Sequence, residues 1–254
     1  MADDDAVAEL AEAVDVGWIL VCTALVFWEQ AGFAMLEAGS VRARNLGNIL
    51  FKNLLDVSLG AVVFAAVGYG LAFGDSASGV VGSTGFFLRS LESPYDYAIW
   101  AWHWSFAATA ATTVSGASAA SPRTRRRSVA RGARRRGARE PDAGKGKADD
   151  LRGFAGHNAT LTALGVYCLW FGWFGFNAGC SGGLSGGGAK VAALAAVNTA
   201  LAPPCGALVA LGVERWRAGY WSLPATVSGL LAGLVGITGP AASSRRAPRS
   251  PSAP

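Results

Sequence analysis

The sequence predicts an all-α, polytopic membrane helix bundle with about six transmembrane helices. Of its 254 residues, 52% are hydrophobic and only 15% are charged. The hydrophobic residues occur in blocks of about 17 to 25, the length of helix that crosses about 30 Å of hydrocarbon. A membrane barrel would need alternating strands of about ten residues, and the chain lacks that pattern. Because backbone polar groups in lipid must pair internally, we interpret the blocks as helices.

Six apolar blocks define the predicted transmembrane helices. They are residues 16–38, 49–73, 97–120, 154–178, 191–213 and 220–238. The last block is the weakest, but Gly229 and Gly233 give it a face of small residues suited to close helix contact. In the fifth block, Pro203 and Pro204 would kink or break the helix unless neighbouring helices compensate.

Charge predicts the orientation of the helices and the segments of the chain. The acidic N-terminal residues lack the basic start of a secretory signal, so we expect no cleaved signal. We expect the N-terminus outside the cell, because positive charges place the next loop inside. Arg42, Arg44 and Lys52 place the first loop in the cytoplasm by the positive-inside rule. The predicted segments are an extracellular N-terminus (1–15), a first membrane block (16–120), a basic segment (121–152), a second membrane block (153–238) and a disordered, basic, Pro-rich tail (239–254).

The basic segment differs from the rest of the chain. Residues 121–150 contain eleven lysine or arginine and four acidic residues, a net charge of +7, whereas the whole chain carries +5. Such a composition favours a disordered, solvated cytoplasmic loop. Attraction to anionic lipid or to nucleic acid remains an alternative. No aromatic residue is interleaved to stack on bases, so we expect no nucleic-acid partner.

Polar residues inside the apolar blocks indicate a function beyond anchoring. Glu29 and Gln30 lie within the first block, and Asp56 lies within the second. An ionisable group within a span costs about 3 kcal/mol on insertion scales, so Glu29 should face a bundle interior or a water-filled cavity. These residues could equally cap or bridge neighbouring helices. The pattern suggests a transporter or channel without naming a substrate.

The sequence predicts neither an enzyme nor a bound cofactor. It has no phosphate loop and no nucleophile elbow. The spacing of the four cysteines (Cys22, Cys168, Cys180 and Cys205) matches no zinc or redox motif. His103 and His157 are too far apart in sequence to define a metal site.

Four stretches resemble, in the same order, the ammonium transporter family (Amt/Mep/Rh). They are AGFAMLEAGSVRARN at 31–45, VGYGLAFG at 67–74, PYDYAIWAWHWSFAATAATTVSGA at 94–117 and LWFGWFGFNAG at 169–179. The resemblance implies part of a fold with eleven helices per pore, which assembles as a trimer in the plasma membrane. It implies ammonium or ammonia as substrate. The implied partners are the lipid bilayer and either identical subunits or full-length paralogues.

The resemblance also assigns candidate site residues. Phe106 and Phe176 correspond to the two stacked phenylalanines that gate the pore. Trp102 matches an aromatic position of the outer ammonium vestibule, where a ring face would attract a cation. Stacked rings would then exclude water. Cys180 stands where many members have a serine that binds the cation, and a thiol is a poorer acceptor, so we expect weaker recruitment.

Departures from the family pattern limit what the resemblance implies. His103 occupies a place where glutamine is usual, and neither it nor His157 matches the paired histidines of the family's pore. The basic segment stands where the family has its fourth and fifth helices, and the sequence after residue 238 resembles none of the last three. We therefore expect an ammonium transporter that is incomplete as written. The alternatives are a non-conducting fragment or regulatory partner of full-length subunits, and a membrane-tethered binder of lipid or nucleic acid.

Overall fold

The computed structural model describes residues 2–41, 43–76, 79–119 and 156–241. Within these ranges the regular structure is helical throughout, as predicted. The helices are α1 (Ala2–Ser40), α2 (Leu46–Val63), α3 (Tyr69–Phe73), α4 (Pro94–Ala119), α5 (Ala159–Ala178), α6 (Gly188–Ala218) and α7 (Leu223–Thr238). A π-helical turn, Phe64–Gly68, joins α2 to α3. The predicted disorder of 121–152 lies outside the described residues, as does that of the tail 239–254 after residue 241.

The predicted apolar blocks correspond to helices of the structure. Four helical segments are long and apolar enough to cross a membrane: Asp3–Ser40, Leu46–Phe73, Ala159–Ser181 and Ser185–Ala218. Helix α7 is apolar but shorter. Helix α4 has 26 residues, and its serines, threonines and Asp96 make it more polar than the four. The third and sixth predicted spans are therefore present as helices but are less suited to lipid than the others.

Polar side chains before the helices determine where two of them begin. Helix α5 begins at Ala159 instead of near residue 154, because the side-chain oxygen of Asn158 accepts a hydrogen bond (3.0 Å) from the Leu161 N–H. Helix α4 begins at Pro94, where proline needs no N–H partner. Ser93 and Asp96 cap it reciprocally, through bonds of 3.1 Å to the Ser93 hydroxyl and 2.9 Å to the Asp96 carboxylate.

The chain divides into two compact units whose sequence ranges interleave. The first unit takes its described residues from Met1–Phe27, Leu91–Trp102 and Trp170–Pro254, and the second takes them from Trp28–Ser90 and His103–Leu169. Helices α1, α4 and α5 are therefore each divided between the two units.

Small residues bring α6 and α7 together in the first unit. A Cβ atom built on Gly233 would lie 2.5 Å from the Ala202 carbonyl oxygen and 2.8 Å from the Cα atom of Pro203. The backbone of Gly229 makes an equally close approach to Gly206. The predicted face of small residues on the last helix is thus confirmed, and it packs against the part of α6 that contains the prolines.

The second unit joins the C-terminal part of α1 to α4 and α5. A Cβ on Gly32 would lie 2.8 Å from a side-chain carbon of Leu169, so α1 and α5 approach at a glycine. The Gln30 amide donates a hydrogen bond to the Thr109 hydroxyl (3.2 Å) and accepts one from Thr112 (2.7 Å). Gln30 therefore bridges α1 and α4, which is a structural role.

An ion-pair cluster links α1 to α2 in the same unit. The Lys52 ammonium lies 3.2 Å from the Glu37 carboxylate and 3.8 Å from that of Asp56. All three side chains are largely buried, with 14 to 26% of their surface exposed. Asp56 therefore shares the Lys52 ammonium with Glu37, and this contact within its own helix favours the structural interpretation of the residue.

Asp15 ties α1 to the turn before α6 in the first unit. Its carboxylate accepts hydrogen bonds from the N–H groups of Leu184 (2.6 Å) and Ser185 (2.8 Å) and from the Ser185 hydroxyl. These bonds, of which the one from the Ser185 hydroxyl has the largest effect, lower the pKa of Asp15 from its ordinary value of 3.8. Gly183 packs directly against the same carboxylate and has a positive φ of 157°.

We predict that replacing Gly233 by alanine destabilises the protein in detergent by about 1–3 kcal/mol, because the new methyl group overpacks the contact with α6. Gly236 is the matched control, since a Cβ there meets nothing within 4 Å. Its alanine variant should be as stable as the parent or slightly more stable, because alanine favours helices. Thermal unfolding followed by size-exclusion chromatography measures both. Equal losses in the two variants would show that the close approach is unimportant.

We predict that Asp15→Asn lowers the unfolding temperature at neutral pH and reduces its dependence on acid. Because the pKa of Asp15 is lowered in the folded state, its stabilisation is present above the ordinary carboxyl pKa and is lost as pH falls through the folded value. The difference between parent and variant should therefore shrink as pH is lowered from 7 through the ordinary value of 3.8. The exposed Asp5 provides the control. A difference that stays constant with pH would contradict the role of the carboxylate.

Candidate functional site

Trp102 packs against the C-terminal end of α5. Its side chain is buried, with 8% of its surface exposed. A Cβ on Gly179 would lie 2.7 Å from a carbon of the Trp102 ring and 2.8 Å from the Cβ of Cys22. A larger residue at 179 would push the indole away, so the glycine fixes where the ring lies.

Cys180 follows this glycine in the 3-10 turn Gly179–Ser181. The thiol is exposed and donates a hydrogen bond to the Phe176 carbonyl oxygen (3.2 Å). Its proton is therefore engaged by the backbone, while the sulfur can still accept a bond from a donor outside the helix. The first unit thus brings two of the predicted site residues, Trp102 and Cys180, to one turn.

Phe176 is half-buried and stacks on Trp173, with ring centroids 5.1 Å apart and planes 23° apart. The Trp173 indole donates a hydrogen bond to the Thr238 hydroxyl at the end of α7 (2.8 Å). The orientation of Phe176 therefore depends on a neighbour that sequence analysis did not single out. In the sequence, the spacing of three residues between Trp173 and Phe176 on one helix was the signal that could have indicated this contact.

A buried polar cluster at Thr199 connects α5 to α6. Pro203 has no N–H to offer the Thr199 carbonyl one turn earlier. The Trp170 indole donates to that carbonyl instead, at 3.0 Å. The Thr199 hydroxyl accepts from the Asn177 amide (2.8 Å) and donates to the Ala195 carbonyl (2.7 Å). Helix α6 runs continuously through both prolines, and the indole supplies the donor that Pro203 cannot give to the Thr199 carbonyl.

The second unit contains Phe106 and a row of aromatic rings that includes His103. The His103 ring stacks on Phe73 with centroids 4.0 Å apart. Phe73 contacts Tyr69 at 5.1 Å, and Tyr69 contacts Phe64 at 6.0 Å. The π-helical turn between α2 and α3 sets the spacing of Phe64 and Tyr69. Sequence analysis missed this row, because a helical period does not align residues five apart.

The two phenylalanines of the expected gate belong to different units, Phe106 to the second and Phe176 to the first. Their stacking remains a prediction. His157 is engaged at the start of α5, where its ring nitrogen lies 2.9 Å from the Val41 carbonyl oxygen. Among the described residues, no group of histidine, cysteine and acidic side chains could hold a metal ion.

Comparison with known proteins defines the class of this chain as that of multi-pass membrane proteins. The sequence model of the Ammonium Transporter Family matches residues 17–125 and 138–247. The chain belongs to this family. The match extends past residues 120 and 238, where the two predicted membrane blocks end, and it resumes at residue 138, inside the basic segment.

Two relatives show how much of a family member the chain represents. It is 35% identical to ammonium transporter Amt2 of Archaeoglobus fulgidus over 90% of the chain and 60% of the relative. It is 30% identical to ammonium transporter 3 of Dictyostelium discoideum over 89% of the chain and 62% of that protein. The chain therefore spans about 60% of the length of these curated relatives.

Solved structures support the same fold. A structure described as a sensor Amt protein aligns with a TM-score of 0.74 and 23% identity, covering 92% of this chain and 70% of the other. Mep2 of Candida albicans aligns with a TM-score of 0.70 and 22% identity, covering 90% and 61%. The predicted fold class, part of the ammonium transporter bundle, is confirmed.

We predict that Thr199→Val destabilises the protein by about 1–3 kcal/mol, because the buried Asn177 amide loses its acceptor. Valine preserves the volume of threonine, so the loss reports on the hydrogen bond. Thr226→Val is the control, since that hydroxyl bonds only to the Ser222 carbonyl of its own chain segment (2.9 Å). Chemical unfolding in detergent followed by tryptophan fluorescence compares them. If the two variants unfold alike, the polar cluster does not stabilise the α5 and α6 contact.

Proposed function

We propose that this chain acts in ammonium transport, with Trp102 and Cys180 recruiting the cation and Phe106 and Phe176 gating its route. Membership in the Ammonium Transporter Family supports the substrate class. The packing of Trp102 on Gly179, next to Cys180, is the observation that carries the recruitment step. It brings an aromatic ring and an acceptor atom to one turn, at which the Cys180 thiol is exposed.

Recruitment rests on the chemistry of a small cation at this turn. The face of an indole attracts a cation by about 0.5–2 kcal/mol, depending on how far the pair is desolvated. The Cys180 sulfur adds a weak acceptor, because its own proton is directed at the Phe176 carbonyl (3.2 Å). Binding of the cation at this turn is therefore weak, and it is selective for a cation with N–H donors.

The gate would act by desolvation. Phe176 is held by its stacking on Trp173 (5.1 Å), and in turn Trp173 is fixed by its bond to Thr238 (2.8 Å). A phenyl ring fixed in this way cannot hydrogen-bond to ammonium, so a cation that passes it must lose its water or its proton. Phe106 would supply the second ring.

Transport by this chain alone would lack a histidine-lined path. The sequence contains two histidines. His103 stacks on Phe73 (4.0 Å), and His157 bonds to the Val41 carbonyl (2.9 Å). We infer that the chain recruits ammonium but does not conduct it unaided.

A second candidate function is that of a non-conducting partner of full-length subunits. The observation that favours it is that both histidines are engaged, His103 by stacking on Phe73 and His157 at the Val41 carbonyl. Such a partner would occupy a subunit position and change the activity of the assembly. The proposal requires no feature beyond the helices already described.

We predict that methylammonium raises the unfolding temperature of the purified protein and that Trp102→Leu weakens this effect. A ligand that binds only the folded state stabilises it by RT ln(1 + [L]/Kd), so weaker binding gives a smaller shift at the same ligand concentration. Loss of the cation and ring interaction should weaken binding about 3- to 30-fold. Trp221→Leu is the matched control, because Trp221 is 69% exposed and contacts Arg215. An equal loss in both variants, or no stabilisation of the parent, would contradict recruitment at Trp102.

We predict that cells without other ammonium transporters take up no radiolabelled methylammonium when they express this chain alone. Co-expression with a full-length family member distinguishes the second candidate, because a partner subunit should change the rate of uptake. Membrane insertion is checked by immunoblot of the membrane fraction. Uptake by the chain alone would refute the inferred need for a histidine-lined path. It would not test recruitment at Trp102, which the methylammonium binding experiment tests separately.

A further inference from the structure

Glu29 is an acidic residue enclosed within the protein. It lies on α1, inside a segment that is long and apolar enough to cross a membrane. Its relative exposure is 0%, as is that of Val26 one turn earlier. Gly32, one turn later, is also buried and packs against Leu169. The side chain is therefore closed off from bulk solvent.

The carboxyl of Glu29 also lacks polar partners. Both of its oxygens are buried, and neither has a hydrogen-bond partner among the residues that the structure describes. The adjacent Gln30 differs, since its amide is bonded to two threonines of α4. Glu37, two turns further along α1, differs too, because Lys52 lies 3.2 Å from its carboxylate.

The charged groups on the neighbouring helices do not compensate for Glu29. Helix α5 contains no lysine, arginine, aspartate or glutamate. On α2, Lys52 is paired with Glu37 and Asp56. On the part of α4 that belongs to the second unit, the titratable group is His103, which stacks on Phe73. Glu37 itself lies about 12 Å further along the helix axis, at a rise of about 1.5 Å per residue.

A carboxylate in this environment would carry an uncompensated charge at low dielectric, which proteins avoid by pairing the charge or removing it. Pairing is not available to Glu29 from the described residues, so a bound proton is the remaining way to remove the charge. We propose that Glu29 is a proton-binding site within the first membrane block. The proton is bound in the resting protein, so the side chain is a neutral carboxylic acid at neutral pH. The ligand is a single proton, and the site is independent of the proposed ammonium route.

Infrared spectroscopy tests the proposal directly, because a protonated carboxyl has a carbonyl band that an ionised carboxylate lacks. The full chain, labelled with carbon-13 at its glutamate side-chain carboxyls, is reconstituted in lipid nanodiscs at pH 8. The expected result is a protonated glutamate band in the parent protein. The band should disappear in Glu29→Gln and persist in Glu37→Gln, the control from the same helix.

Three results would overturn the proposal. The first is the absence of a protonated glutamate band in the parent. This result needs no variant, so it counts even if a variant fails to fold. The second is a band that survives in folded Glu29→Gln, which would assign the proton elsewhere. The third is a band that appears only after sodium, potassium and ammonium are removed, because the site would then bind a cation in place of a proton.

Discussion

The hydrogen bond from the Trp170 indole to the Thr199 carbonyl (3.0 Å) joins α5 to α6 where two prolines interrupt the backbone hydrogen bonding of α6. Two consecutive prolines remove two N–H donors from α6, and a buried carbonyl without a partner is costly. Trp170 supplies the donor from α5, and Asn177 reinforces the same residue through the Thr199 hydroxyl. Helix α6 can therefore continue, and its proline turn lies against Gly233 of α7.

Much of the fold could be predicted from hydropathy and from the chemistry of single residues. The apolar blocks located each helix, and the two glycines of the last block identified a real contact surface. The start of α5 was predicted wrongly, because hydropathy alone extended the block through residues before Asn158, whose side chain caps the helix. The prolines of α6 were recognised as a problem, but their compensation comes from a residue thirty-three positions earlier. Sequence spacing carries no information about such a contact.

The polar residues inside the spans show the same limit. In the sequence, Gln30, Asp56 and Glu29 are equally unusual as polar residues inside apolar blocks. Only their contacts in the folded protein distinguish their roles. Gln30 bridges two helices and Asp56 joins an ion pair, so both have structural roles. Glu29 has neither kind of partner among the described residues. Of the site residues, Trp102 and Cys180 come together at one turn, whereas the pairing of the two phenylalanines rests on resemblance.

A double-mutant cycle between Trp170 and Pro203 tests the central interaction most directly. In the parent, Trp170→Phe should lower the free energy of unfolding by about 1–3 kcal/mol, because a buried carbonyl loses its donor. In a Pro203→Ala background the backbone regains an N–H for that carbonyl, so the same change should have a much smaller effect. Chemical unfolding of the four proteins in one detergent gives the coupling energy. An equal effect of Trp170→Phe in both backgrounds would contradict the account, since the indole would then not be compensating for the proline.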